Sequence, residues 1–398
     1  MEFEEDEDIN TIETFDEIEL NNDILRGIFA YGWDKPSDIQ KKAILPMKSG
    51  RDIIAQAQSG TGKSGSFVIG CLTRVNEEIK SPQVLILSNV HDLAIQTYNL
   101  VQSIIRFTKL ESTLVIGRGL KSDHDNYSQR RDIPPFKPNA QIVVGTPGRV
   151  IHFLKNGKIN NSFFKTIVID EADEMLGEGF QEQIKTIFEN LPEDIQVTLF
   201  SATMPPQILA LTKKFMNNPI RILIQKETLT LEGIQQFYVG IESDYMKFEV
   251  LKDLYGKISV SQAIIFVNSK PRLINLKSRL EQDGYTISII HGGMNQYERN
   301  DIIEEFKLGK TRILISTDIL SRGIDIQQIS LVINYDIPNS PEKYIHRIGR
   351  SGRYGRRGVG INLVTSDEYK LFRAIQVYYS TQINPLPQNY QEIIRAIS

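Results

Sequence analysis

Asp52-Ile53-Ile54-Ala55-Gln56-Ala57-Gln58-Ser59-Gly60-Thr61-Gly62-Lys63-Ser64 is the stretch on which the fold turns. It reads as a short apolar strand, a glycine-spaced loop and the start of a helix that continues through Phe67, Ile69 and Leu72. Glycines let backbone N–H groups close around phosphate oxygens, and the N-terminus of the following helix adds its dipole. In that reading Ser59, Gly60, Thr61 and Gly62 cradle phosphates, Lys63 reaches the β/γ-phosphates, and the Ser64 hydroxyl ligates Mg²⁺. The loop opens on Ala57 where the general pattern has glycine, so the local match is imperfect. A Gly/Ser-rich surface turn would look similar in isolation, and the rest of the chain separates the two.

About a hundred residues on, the apolar strand Thr166-Ile167-Val168-Ile169 ends in Asp170-Glu171-Ala172-Asp173. Carboxylates at the C-terminal end of a buried parallel strand stand where such sheets bind ligands. Asp170 is placed to hold Mg²⁺ and Glu171 to orient or deprotonate an attacking water. An acid cluster is more often a solvated loop. The order of strand, acids and upstream phosphate loop points instead to a nucleoside triphosphatase.

A chain of 398 residues is too long for one ordinary core, which sets an expectation of two domains. Hydrophobic content of 40% and charged content of 24% describe a soluble globular protein. No apolar run approaches the roughly 18 residues of a membrane span, and no secretory signal is visible. The single cysteine, Cys71, falls on the apolar side of the helix after the phosphate loop and reads as a core thiol in a reducing compartment. The net charge of −3 conceals an asymmetry: residues 1–20 hold ten acids and no base, so the remainder carries +7 (−3 less −10). The expectation is a disordered, solvating acidic tail over residues 1–20 and a mildly basic body.

After Asp173 come a helix (Phe180 to Leu191), a strand (Val197-Thr198-Leu199-Phe200) and Ser201-Ala202-Thr203. Apolar strands alternating with amphipathic helices indicate a parallel, doubly wound α/β sheet. The alternation pauses near Ile222, where the polar run Gln225-Lys226-Glu227-Thr228 reads as a linker, and then restarts. Strands are legible at Ala263–Val267, Ile287–Ile290, Arg312–Ser316, Leu331–Asn334 and Gly360–Val364. The second half lacks a phosphate loop but carries Arg322 with Asp325, then His346-Arg347-Ile348-Gly349-Arg350-Ser351-Gly352-Arg353. Guanidinium forks suit phosphate oxygens bidentately, although an exposed basic turn would carry the same residues.

Taken together these motifs resemble the DEAD-box RNA helicases from about Phe15 to the C-terminus. The resemblance implies two tandem RecA-like doubly wound parallel-sheet domains facing each other across a cleft, an ATP-binding domain at 21–222, a linker at 223–231 and a second helicase domain at 232–398. Gly32-Trp33-x-x-Pro36-x-x-Ile39-Gln40 is similar to the family's adenine-reading motif, with Phe15 as its upstream aromatic. It implies that Gln40 bonds the adenine edge and Trp33 stacks on the ring. Thr146-Pro147-Gly148-Arg149 and Gln296-x-x-Arg299 match RNA-backbone contacts. Thr317, Arg322 and Asp325 match a segment that touches RNA and the ATP ribose. Ser201 and Thr203 match the motif coupling hydrolysis to strand separation. Arg350 and Arg353 would be arginine fingers, with His346 and Arg347 organising their turn.

Within the family the chain looks most like the translation initiation factor 4A group, on stretches such as Arg26-Gly27-Ile28-Phe29-Ala30-Tyr31-Gly32 and Thr230-Leu231-Glu232-Gly233-Ile234. That implies a monomer acting on RNA with ATP and Mg²⁺, in the cytoplasm, with a scaffold protein of the initiation-factor type as partner and no membrane. Two rivals stay open: a scaffold that uses ATP only to lock onto RNA, as in the exon-junction relative, and a DNA-directed helicase. The chain departs from the family at Asn89-Val90-His91-Asp92, where Pro-Thr-Arg-Glu is usual, and at Gly117-Arg118-Gly119. The basic loop that follows, with Lys121, Arg130, Arg131 and Lys137, is either a solvated loop that has drifted or a partial replacement for the lost phosphate contacts.

Overall fold

The computed structural model describes residues 10–57, 60–117, 134–177, 179–223, 234–257, 262–294, 296–318, 329–351, 358–379 and 381–395. The chain divides into two compact units, residues 1–224 and 225–398. In the first, the strands are β1 (Ile53–Gln56), β2 (Val84–Leu87), β3 (Ser112–Val115), β4 (Ile142–Gly145), β5 (Thr166–Asp170), β6 (Gln196–Ser201) and β7 (Ile220–Leu223). They form one parallel sheet in the order β3-β4-β2-β5-β6-β1-β7. In the second, β8 (Ile234–Ile241), β9 (Ala263–Phe266), β10 (Ile287–Ile290), β11 (Ile313–Ser316), β12 (Leu331–Asn334), β13 (Gly358–Thr365) and β14 (Asn384–Pro385) run in the order β10-β11-β9-β12-β13-β8-β14, again parallel.

Helices cover both faces, so the central strands are buried at every position and mostly apolar rather than apolar at alternate positions. Successive side chains still point to opposite faces. Ile53, Ala55, Val168 and Phe200 feed one core of the first unit, and Ile54, Ile167, Ile169 and Leu199 feed the other. The second unit repeats this, with Ile264, Phe266 and Leu314 on one side and Ala263, Ile265 and Ile313 on the other. Register places the ends of β1, β5 and β6 level: Gln56 pairs with Ser201, and Asp170 with Phe200. That alignment assembles the site.

All five strands read in the second half are present, within two residues at each end. Three strands carry no clear signal in sequence. β7 lies at the edge of its sheet, β14 is two residues long, and β8 is interrupted by Gln235, Gln236 and Gly240, with only its first and last residues buried. The expected acidic tail is too long. Ile12, Phe15 and Ile18 are buried at 1%, 1% and 0% exposure, and the turn Phe15–Ile18 packs on the first unit's core. Burial of three large apolar side chains outweighs the repulsion among acids, which point outward, Glu13 to Lys41 and Glu19 to Lys48. Leu223, expected to begin the linker, instead ends β7 opposite Gln56; the rest of the linker lies outside the described residues. Cys71 is a buried free thiol whose burial pushes its pKa well up, as a core residue requires.

Candidate active site

The phosphate loop leaves β1 and enters the helix Lys63–Leu72 through Gly62, which has φ +105° and sits at the N-cap. A side chain there would be strained and would also put its Cβ 2.6 Å from Ser37 Oγ. Lys63 is 7% exposed and its ammonium donates to the Ala57 carbonyl at 2.8 Å, which aims it back along the loop. Gln58 and Ser59 lie outside the described residues; Gly60, Thr61 and Ser64 lie along the loop and first helical turn.

Asp170, 3% exposed, ends β5. Burial first, then the Glu171 carboxylate, pushes its pKa up to about 7 against the pull of Lys63. Glu171 follows in the left-handed region at φ 51°, uncommon for a residue with a Cβ, and its backbone N–H donates to Asp170 Oδ1 at 3.0 Å. Its Oε2 is buried without a hydrogen-bond partner. Buried carboxylates that share too little positive charge, and an oxygen with no donor, are what a cation and a bound water would complete. The hard oxygen donors of Ser64 and Asp170 suit Mg²⁺, so the residues fit that ion.

Ser201-Ala202-Thr203 knits these parts together. The Ala57 N–H donates to the Ser201 carbonyl at 3.0 Å, Gln56 Nε2 to the Ala202 carbonyl at 3.2 Å, and Thr203 Oγ1 to Asp173 Oδ2 at 2.5 Å. The phosphate loop and the acid turn therefore share one rigid spacer.

Gln40 is 3% exposed; its Oε1 accepts from the Ser37 N–H at 2.9 Å and its Nε2 donates to the Gly62 carbonyl at 3.4 Å. It ties the helix Asp38–Lys48 to the phosphate loop. Trp33 is half-buried and meets Tyr31 edge-on at 4.7 Å. Phe15, expected beside the adenine, is closed within the core and offers no open ring face. Sequence reasoning missed Gly65, whose Cβ would stand 2.4 Å from Gln40 Nε2 and 2.6 Å from Trp33 Cη2; a glycine inside a helical run was its signal. Gly65→Ala is expected to displace both side chains and raise KM for ATP about tenfold, with a smaller effect on kcat. Steady-state ATPase against ATP concentration measures this, and an unchanged KM would remove Trp33 and Gln40 from the nucleotide pocket.

On the same sheet edge, Thr146 caps the helix Pro147–Lys155, with its N–H donating to the Val115 carbonyl at 3.1 Å. Gly148 is exposed, and the Arg149 guanidinium lies over the Phe153 ring, 4.7 Å from its centre. In the second unit Gln296 begins the helix Gln296–Lys307. Arg299 donates to the carbonyls of Gly292 and Met294 at 3.2 and 2.8 Å, so it fastens the preceding loop. Thr317 follows β11 and donates its N–H to the Ile290 carbonyl.

Arg347 is fully buried: it donates to Asp318 Oδ1, the Asp336 carbonyl and Asn268 Oδ1, each at 2.7 Å. It anchors the end of the helix Pro341–Ile348, which carries His346, and the turn that follows. Arg350 is 3% exposed, its Nε donating to the His346 carbonyl at 3.1 Å. Arg322, Asp325, Arg353 and the basic loop from Arg118 through Arg131 lie outside the described residues.

A glycine cradle, a buried lysine, an acid pair and a coupling turn at aligned strand ends define a phosphate-loop nucleoside triphosphatase. The profile of the DEAD/DEAH box helicases matches residues 37–211, and that of the helicase conserved C-terminal domain matches residues 246–355. The chain is 48% identical over 394 residues to the ATP-dependent RNA helicase eIF4A of Meyerozyma guilliermondii, covering 97% of this chain and 98% of the relative. It is 50% identical over 378 residues to that of Candida albicans, with 95% and 93% covered. Among solved structures, Saccharomyces cerevisiae Dbp5 bound to RNA and ADP BeF3 is similar at a TM-score of 0.86 and 36% identity, covering 97% of this chain and 100% of that one. The chain belongs to the DEAD/DEAH box helicase family, and its two sheets are the family's tandem RecA-like domains.

Proposed function

We propose that this protein is an ATP-dependent RNA helicase, an RNA-stimulated ATPase that clamps single-stranded RNA and opens short duplexes in translation initiation. The observation that carries the reading is the Ser201–Thr203 turn, bonded on one side to the phosphate loop and on the other to Asp173. The relatives named above bear the same activity in their names. Lys63 neutralises the β/γ-phosphates, and Gln40 and Trp33 border the base. Bound Mg²⁺ supplies positive charge to phosphate oxygens, and Ser64 and Asp170 are the residues that would hold it. Glu171 takes the proton of the attacking water through its open Oε2. Arg350 and Arg353 bring guanidinium charge to the γ-phosphate when ATP and RNA are both bound, and Asp325 bonds the ribose. Thr146 to Arg149, Gln296, Thr317 and Arg322 hold the RNA backbone, with Arg299 shaping its loop.

The protein works in the cytoplasm as a monomer with a scaffold protein of the initiation-factor type. A groove of about 870 Å³ in the second unit, lined by Tyr238, Val250, Leu254, Leu386 and Tyr390 with Glu249 and Asp253, supports a partner segment that is basic and apolar. No helix among the described residues is long and apolar enough to cross a membrane. The ATP-locked scaffold is not favoured, since the residues assigned to hydrolysis within the described residues are all in place. Steady-state ATPase with and without single-stranded RNA, with matched DNA as competitor, tests the reading. Strong stimulation by RNA alone is expected; no stimulation, or equal stimulation by DNA, would refute it.

A further inference from the structure

Asn89 stands where the resemblance makes proline usual, 8% exposed, two residues past β2 and next to Val90, which is the N-cap of the helix His91–Ile105 and gives it no side-chain cap. Its Nδ2 donates to Glu174 Oε2, while its Oδ1 is buried without a partner. Turning the amide over would set its oxygen against a carboxylate, so the donor must face Glu174. Glu174 belongs to the one-turn helix Ala172–Met175 that follows Glu171. The Glu174 N–H donates to the Glu171 carbonyl and to Asp173 Oδ1, both at 3.0 Å. On the other side of Asn89, His91 lies against Gly117: a Cβ there would stand 3.4 Å from His91 Nε2. One short side chain thus joins the acid turn, with Glu171 in its left-handed conformation, to the start of the helix on the expected RNA face.

We propose that Asn89 is a positioning residue that couples RNA binding to the hydrolytic turn through its bond to Glu174. A ligand seated at the start of the helix His91–Ile105 moves the segment Ser88 to His91. The charge-assisted bond passes that displacement to Glu174, because breaking it would leave a buried amide N–H unpaired. The residues between Glu174 and Glu171 form a single hydrogen-bonded turn, so Glu171 moves with it. Proline could make no such bond, which makes the coupling a property of this chain. The inference rests on the helicase reading.

The test uses the full chain and reads the ratio of turnover at saturating single-stranded RNA to turnover without RNA. Asn89→Asp sets two carboxylates against each other and is expected to lower the ratio about 3- to 30-fold. Glu174→Gln in the Asn89→Asp background restores a bond of opposite polarity and is expected to bring the ratio back to near the unaltered value. A purely structural role would show as a lowered Tm with no such rescue. An unchanged ratio in Asn89→Asp, or a lost ratio that the second substitution leaves lost, overturns the inference while the unaltered chain remains RNA-stimulated. An unaltered chain that RNA does not stimulate overturns the helicase reading and the inference with it.

Discussion

Glu171→Gln is expected to keep binding ATP and RNA while its RNA-stimulated turnover falls about 10²- to 10⁴-fold, the range a positioned general base contributes. Glutamine matches the shape of glutamate and removes only the charge and the proton-accepting oxygen. The site gives that oxygen nothing else to do: Glu171 is 5% exposed and its Oε2 has no hydrogen-bond partner. The left-handed backbone at φ 51° is a cost that packing must offset. The substitution also acts on Asp170. The Glu171 charge raises the Asp170 pKa, so its removal lowers that pKa from about 7 and leaves more Asp170 ionised at neutral pH. Metal and nucleotide binding should therefore be retained or strengthened. Nucleotide titration alongside single-turnover hydrolysis separates the two effects; hydrolysis within about tenfold of the unaltered chain would remove Glu171 from its role.

Arg350→Ala is expected to lower RNA-stimulated kcat about 10³- to 10⁵-fold, the contribution of an arginine finger, with little change in turnover without RNA. Its Nε donates to the His346 carbonyl at 3.1 Å, which fixes the stem of the side chain, and a planar guanidinium is the group that forks onto a phosphate. Arg350→Lys keeps the charge but loses the planar fork, and should rescue only a small part. Arg347, three residues earlier in the same motif, is the control. Its guanidinium is fixed by Asp318, Asn268 and the Asp336 carbonyl, so Arg347→Ala is expected to lower the Tm of the second unit. Equal effects of Arg350→Ala on turnover with and without RNA would mean that Arg350 acts within its own turn.

The phosphate loop, the acid pair and most strands were legible in the chain because their signals are local. A glycine at φ +105° before a helix, or the run Thr166-Ile167-Val168-Ile169 ending in an aspartate, depends on neighbours a few residues away. The strand β8, one in from the edge, was not legible, since its partial exposure permits Gln235, Gln236 and Gly240, and it forms only because β13 supplies an eight-residue partner. The acidic segment misled for a related reason. Composition counts the acids of residues 1–20, whereas Ile12, Phe15 and Ile18 decide its fate through a core made elsewhere.

The sequence by itself pointed to a phosphate loop, to an acid pair at a strand end, and to two parallel sheets that carry them. Only the tertiary structure decided what each side chain is able to do. It closed Phe15 into a core, fastened Arg299 to two carbonyls, set Gly65 beneath Trp33 and Gln40, and joined Asn89 to Glu174 across 85 positions of chain. Side-chain roles of that kind depend on which distant atoms arrive within about 3 Å, and helix packing and strand register set those distances.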